Sequence, residues 1–325
     1  RIEGSCTPPV QSNMVFLYVD NPPEIGTEPV DNTLCEFTNA VFEVQATGAD
    51  LQYQWQESTD NGTNWNDVSD GGLYIGTTTQ RLTMFSVDRT MDGNLYRVNI
   101  SGTCGTPAQS LEVLLTVQTA PEILAQPQSI SVCENTPAGF GVDAQGTGIN
   151  YQWMVNDGAG FRNILTSELE YNGADSDSLT LLSAQVAQSG FPYRVVVSGV
   201  CSPAESSELA ILLVEPNPVI TTQPVSDAIC ENGNTVFTAG ASGPAGMNYQ
   251  WYVDRDDGNG WVILTDDAIH LGSNSEQLSV SNAAVFMDGW QYQLEVSTTC
   301  MPVYTAPVTL TVWDNPVPTI TPVGV

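Results

Sequence analysis

Apolar and polar residues alternate in short runs along the whole chain. In AVFEVQA (40–46), LQYQWQ (51–56), LYRVNIS (95–101) and LEVLLTV (111–117) the apolar residues return at every second position. That is the period of a strand with one buried face. Gly, Asn, Asp and Pro separate the runs, and amphipathic helical spacing is hard to find anywhere. Seven or so strands in each stretch of about 100 residues predict an all-β chain of antiparallel sandwiches.

The runs themselves recur. YQW stands at Tyr53-Gln54-Trp55, Tyr151-Gln152-Trp153 and Tyr249-Gln250-Trp251, each tryptophan 98 residues beyond the last. Two cysteine series keep the same period: Cys35, Cys133 and Cys230 precede the YQW strands, while Cys6, Cys104, Cys201 and Cys300 follow them. Repetition at a fixed interval marks a tandem array. The register predicts repeats over 20–118, 119–215 and 216–314, the last strand of a truncated repeat over 1–19, and the start of the next over 315–325. Linkers such as QTAPEI and EPNPVI are short and proline-bearing, which predicts stiff joints and an elongated rod.

Charge narrows the partners. Seven arginines, no lysine and 37 carboxylates give a net charge of −30, so neither nucleic acid nor an anionic membrane is expected as a partner. No run of eighteen apolar residues occurs, and no membrane insertion is expected from this segment. One early and one late cysteine per repeat is the arithmetic of one disulfide per domain. The expected pairs are Cys35–Cys104, Cys133–Cys201 and Cys230–Cys300, with Cys6 unpaired within the chain. Each would close a loop of about 70 residues, stabilising its repeat by roughly 4 kcal/mol in the chain-entropy model. Such bridges place the protein in an oxidising, extracellular setting.

Catalytic chemistry is not visible. The single histidine, His270, is expected as an unpaired surface residue, and no nucleophile, metalloprotease or phosphate-loop motif occurs. No cofactor is expected. Asp254, Asp256 and Asp257, with Asp60, Asn61 and Asp266-Asp267, are calcium candidates that lack the spacing of a calcium loop. They sit in hairpin-tip sequences, where turn chemistry already accounts for Asp and Asn. Trp65, Phe161 and Trp261 hold one equivalent position, which suggests shared packing. Trp290 and Trp313 are unrepeated and are the candidates for a private ligand contact. NGT at Asn61 and NIS at Asn99 match N-glycan acceptors. The apolar MVFLYV (14–19) reads as a strand that a neighbouring domain or subunit must cover.

A QP opening, a strand ending in Ala-x-Gly, the YQW strand and the later DGNLY and DGWQY strands resemble the immunoglobulin superfamily. The resemblance implies core tryptophans Trp55, Trp153 and Trp251, and corner tyrosines Tyr96, Tyr193 and Tyr292 whose hydroxyls bond to backbone. The cysteine positions of antibody-type domains are taken here by Val44, Val142 and Ala239, and by Val98, Val195 and Leu294. The whole segment also resembles the tandem repeats of giant secreted surface proteins of Bacteroidota, such as gliding-motility adhesins and type IX secretion cargo. DSL at Asp177-Ser178-Leu179 is similar to the short O-glycosylation motif of that group. The resemblance implies a non-enzymatic stalk or filament of a cell-surface adhesin. Its partners would be other repeats of the parent chain, filament neighbours and cell-surface glycans. The alternatives are an array of carbohydrate- or ligand-binding modules, or a spacer of a secreted hydrolase.

Overall fold

The computed structural model describes residues 11–316. The first repeat contains eleven strands: β1 (Glu24–Thr27), β2 (Asn32–Cys35), β3 (Ala40–Glu43), β4 (Gln45–Thr47), β5 (Gln52–Ser58), β6 (Asn66–Asp67), β7 (Tyr74–Ile75), β8 (Arg81–Met84), β9 (Leu95–Ser101), β10 (Ala108–Gln109) and β11 (Val113–Gln118). One sheet runs β2-β11-β9-β5-β6, with β10 also on β9; facing it are β3-β8-β7 and the pair β1-β4. The same strand order recurs over 122–215 and 219–313. These are tandem immunoglobulin-like sandwiches. The only helical elements among the described residues are three single 3-10 turns, so none is long and apolar enough to cross a membrane.

Alternation fixes what is inside. Along β9, Tyr96, Val98 and Ile100 are buried while their neighbours are not, and β5 turns Trp55 into the same core. Trp55, Trp153 and Trp251, with Tyr96, Tyr193 and Tyr292, have no exposed surface. Val44, Val142, Ala239, Val98, Val195 and Leu294 are buried as well, so apolar side chains fill the places where a core disulfide would lie.

The YQW tripeptide performs two tasks on opposite faces of its strand. The indole N–H donates to a turn carbonyl: Trp55 to Thr79, Trp153 to Ser176 and Trp251 to Ser275, each at 2.9 Å. The adjacent Gln54 amide donates to the carbonyls of Trp55 and Val68, clamping the neighbouring edge, and Gln152 and Gln250 repeat the arrangement. The turn over the tryptophan requires glycine. Gly76 has φ +82°, and a Cβ there would run into the Arg81 carbonyl; Gly173 and Gly272 stand in the same position.

Contacts divide the chain into two compact units. One comprises residues up to Ile123 with Ala144–Asn150 and Val197–Glu205; the other comprises Leu124–Asp143, Tyr151–Val196 and Ser206 onward. Residues 14–19, expected as a strand, pair with no strand among the described residues, and their side chains are 69–89% exposed. The equivalent β11 is held between β2 and β9, and 14–19 have no such neighbours. Cys6 lies outside the described residues, as does the part from 317 onward of the further repeat expected over 315–325.

Candidate functional site

The cysteines correct the sequence expectation. Cys35 is bonded to Cys201 and Cys133 to Cys300, with Cα atoms 5.7 and 5.5 Å apart, across sequence separations of 166 and 167 residues. Each early cysteine therefore joins the late cysteine of the following repeat, not that of its own. Cys104 and Cys230 carry free thiols. The pairs Cys35–Cys104, Cys133–Cys201 and Cys230–Cys300 do not form.

Strand direction explains why. Strand β2 runs parallel to β11, bringing Cys35 level with Gln118, the last residue before the chain leaves the repeat. Strand β9 runs antiparallel to β11, so Cys104, just past Ser101, lies at the opposite end. A seven-residue strand separates those ends by about 20 Å, whereas a disulfide tolerates about 7 Å between Cα atoms. The late cysteine of the following repeat, by contrast, lies at the end that faces Cys35.

The second junction shows the surrounding chemistry. Cys133 pairs in register with Glu215, whose carbonyl lies 3.9 Å from Cys300 Sγ. The Glu215 carboxylate accepts from Thr299 Oγ1 at 2.6 Å. Cys104 occupies the same station while unbonded: its thiol donates to the Asp20 carbonyl at 3.3 Å, and Thr103 Oγ1 donates to the Asp20 carboxylate at 3.2 Å. Cys230 stands level with Trp313, which is 60% exposed.

The corner tyrosines also depart from expectation, because each hydroxyl meets a side chain instead of backbone. Tyr96 donates to Glu57 Oε1 at 2.6 Å, where Tyr74 and Asn94 also donate. Tyr193 meets Tyr171 at 3.4 Å. Tyr292 meets His270 Nε2 at 3.1 Å. His270 is thus no surface residue; it is 2% exposed, its Nδ1 lies 3.1 Å from Asp267, and its ring stacks on Trp290. Burial pushes the Asp267 carboxyl up, but the amides of His270 and Ile269 and the imidazole outweigh it and hold the carboxyl below its usual range. Trp290 is occupied within its repeat, with His270 stacked, Phe286 at its edge and the Arg255 guanidinium 5.3 Å from its ring.

The hairpin-tip acids cap turns. Asp254 accepts from the Asp256 amide and Asp257 from the Asn259 amide, and that second bond leads the causes holding Asp257 below the usual carboxylate range. Among the described residues no group of three or more His, Cys, Asp or Glu side chains is placed to hold a metal ion.

The recurrent aromatic beyond the hairpin tip divides the repeats. The Arg97 guanidinium lies 4.0 Å over the Trp65 ring and that of Arg194 lies 4.2 Å over Phe161. In the third repeat Gln293 replaces the arginine. There Tyr252, Trp261, Gln293 and Tyr304 line an open cleft of about 420 Å³, and both tyrosine hydroxyls donate to Glu295 Oε2 at 2.9 Å. Sequence reasoning noticed the recurring aromatic but missed the arginine, which stands one residue after each corner tyrosine in the first two repeats.

A family described as "Domain of unknown function (DUF8696)" matches residues 24–119. No curated protein matches the chain. Among solved structures, the I-band fragment I67–I69 of titin is similar over 90% of this chain and 99% of its own, at 18% identity and a TM-score of 0.54. An E-to-A variant of the same three domains has the same identity and coverage, with a TM-score of 0.53. At 0.49, the immunoglobulin domains 1–5 of Sidekick-1 are similar over 92% of this chain and 60% of theirs, at 19% identity. The two titin likenesses, both above a TM-score of 0.5, show the fold.

Proposed function

We propose that this chain is an extracellular structural segment, part of a stalk or filament on a cell surface, of the kind found in giant repetitive adhesins of Bacteroidota. The observation that carries the reading is the pair of disulfides, each of which ties one repeat to the next. A ligand-binding or catalytic domain gains little from bonds across its junctions; a chain that transmits tension gains resistance to extension. Cys104 and Cys230 hold the same two stations as the bonded cysteines. In a longer array they would take up the same bond with flanking repeats, two thiols passing two electrons and two protons to a disulfide oxidant. Disulfides of this kind persist outside the reducing cytosol, and the acidic, lysine-free surface suits saline surroundings. The chain has no catalytic task in this reading, and its partners are other repeats and neighbouring filament chains.

Pulling single molecules by their ends tests the proposal. The oxidised chain is expected to release only a small part of its contour length, and the reduced chain several times more. Equal release in both states would remove the tensile role. So would disulfides that fail to form in the secreted protein.

A further inference from the structure

In the first two repeats the aromatic beyond the hairpin tip is capped by a guanidinium from the same sheet, Arg97 over Trp65 and Arg194 over Phe161. The third repeat keeps the aromatic, Trp261, and loses the cation, because Gln293 stands at the arginine's position. Trp261 is left 38% exposed and Tyr304 48% exposed. Two tyrosines absent from the other repeats have been added around it. Tyr252 stands where Gln56 and Met154 do, and Tyr304 lies on the neighbouring strand.

The added groups suit a cation. Glu295 lies between Tyr252 and Tyr304 with both hydroxyls on Oε2. The Gln293 amide nitrogen is committed to the Thr305 carbonyl at 2.7 Å. Aromatic faces around a carboxylate attract guanidinium and alkylammonium groups through ring quadrupole and charge. The one arginine of this repeat, Arg255, is placed against Trp290 instead. A cleft of about 420 Å³ falls within the range of small-ligand sites, and a net charge of −30 draws cations toward it.

We propose that the Tyr252–Trp261–Tyr304 cleft of the third repeat binds an organic cation, foremost the guanidinium of an arginine on a partner, in the place its own arginine fills in the other repeats. The site does not depend on the chain's being a stalk.

The test is a titration of the intact oxidised chain, in about 0.15 M salt, with N-acetyl-arginine amide, choline and a neutral disaccharide, read by tryptophan fluorescence and by the Trp261 indole NMR signal. Saturable binding of N-acetyl-arginine amide or choline is expected, the stronger of the two identifying the cation. Gln293→Arg, which restores the internal cap, should weaken it about tenfold or more. Gln277→Arg adds the same charge on the other sheet and should leave it unchanged. Glu295→Gln keeps an acceptor for the tyrosines while removing the charge, and should weaken binding without unfolding the repeat. Binding of the disaccharide alone, no saturable binding, or equal affinity in the Gln293→Arg and Gln277→Arg chains would overturn the proposal.

Discussion

The Tyr96 hydroxyl donates a 2.6 Å hydrogen bond to Glu57 Oε1, and the same oxygen receives Tyr74 and Asn94. One carboxylate oxygen thus satisfies three donors at the edge of the first core. Glu57→Leu is expected to cost about 2–3 kcal/mol, since it strands a fully buried phenol; Glu57→Gln, which keeps an acceptor, should cost less. Urea unfolding of the two variants measures the difference.

The same cluster sets an alkaline limit. Burial pushes the Tyr74 phenol up to about 12, and burial with the Glu57 hydrogen bond pushes Tyr96 further above the ordinary range. Unfolded tyrosines ionise near 10, so above that pH the unfolded chain releases protons that the folded chain retains. The stability contribution is complete below pH 10 and is lost progressively as pH rises from 10 towards 12. Denaturation midpoints across that window should fall, and should fall less steeply in Tyr74→Phe.

Phe37 has φ +62° and is 69% exposed, while Asn135 and Asn232 hold the equivalent positions with φ +64° and +62°. Asparagine tolerates the left-handed region better than a bulky residue. Phe37→Asn should stabilise the first repeat by about 1 kcal/mol, read as a raised melting temperature. The hydrogen bond that the residue-37 amide N–H donates to the Val87 carbonyl should survive the change.

Non-reducing peptide mapping should recover Cys35 linked to Cys201 and Cys133 linked to Cys300. Each bond closes a loop of more than 160 residues, worth about 5 kcal/mol in the chain-entropy model. Cys201→Ser and Cys300→Ser should each lower stability by up to that amount. A peptide joining Cys35 to Cys104 would contradict the strand directions described above.

Gly76→Ala is expected to destabilise by several kcal/mol, because the new methyl meets the Arg81 carbonyl at a φ of +82°. The Thr79 carbonyl that receives the Trp55 indole lies in the same turn, so near-ultraviolet circular dichroism should change with the loss of stability.

The sandwich and its core were legible because both rest on local, repeated signals: alternation along strands such as Leu95–Ser101 and the recurrence of Trp55, Trp153 and Trp251. The disulfide partners were not. A sequence shows that each repeat holds two cysteines but not which end of the sandwich each occupies, and the parallel pairing of β2 with β11 decides that. The burial of His270 is written only in the equivalence of the repeats, since Tyr74 and Tyr171 hold its place in the other two. The cleft of the third repeat was half visible. Trp261 repeats Trp65, but the signal lies in the residue that the third repeat has lost, Gln293 for Arg97.

The two bonds interlock, and the result is a property of connection, independent of any contact. Fusing Cys35 with Cys201 and Cys133 with Cys300 creates two nodes. The three stretches 35–133, 133–201 and 201–300 then each run from one node to the other. The shortest, of roughly 70 residues, limits the separation of the nodes to about 230 Å, where the unbridged chain from Cys35 to Cys300 could reach roughly 900 Å. A protease that cuts one of these stretches, or even two, leaves a continuous covalent path from one end of the protein to the other. The segment is a three-ply cable, able to lose plies without parting.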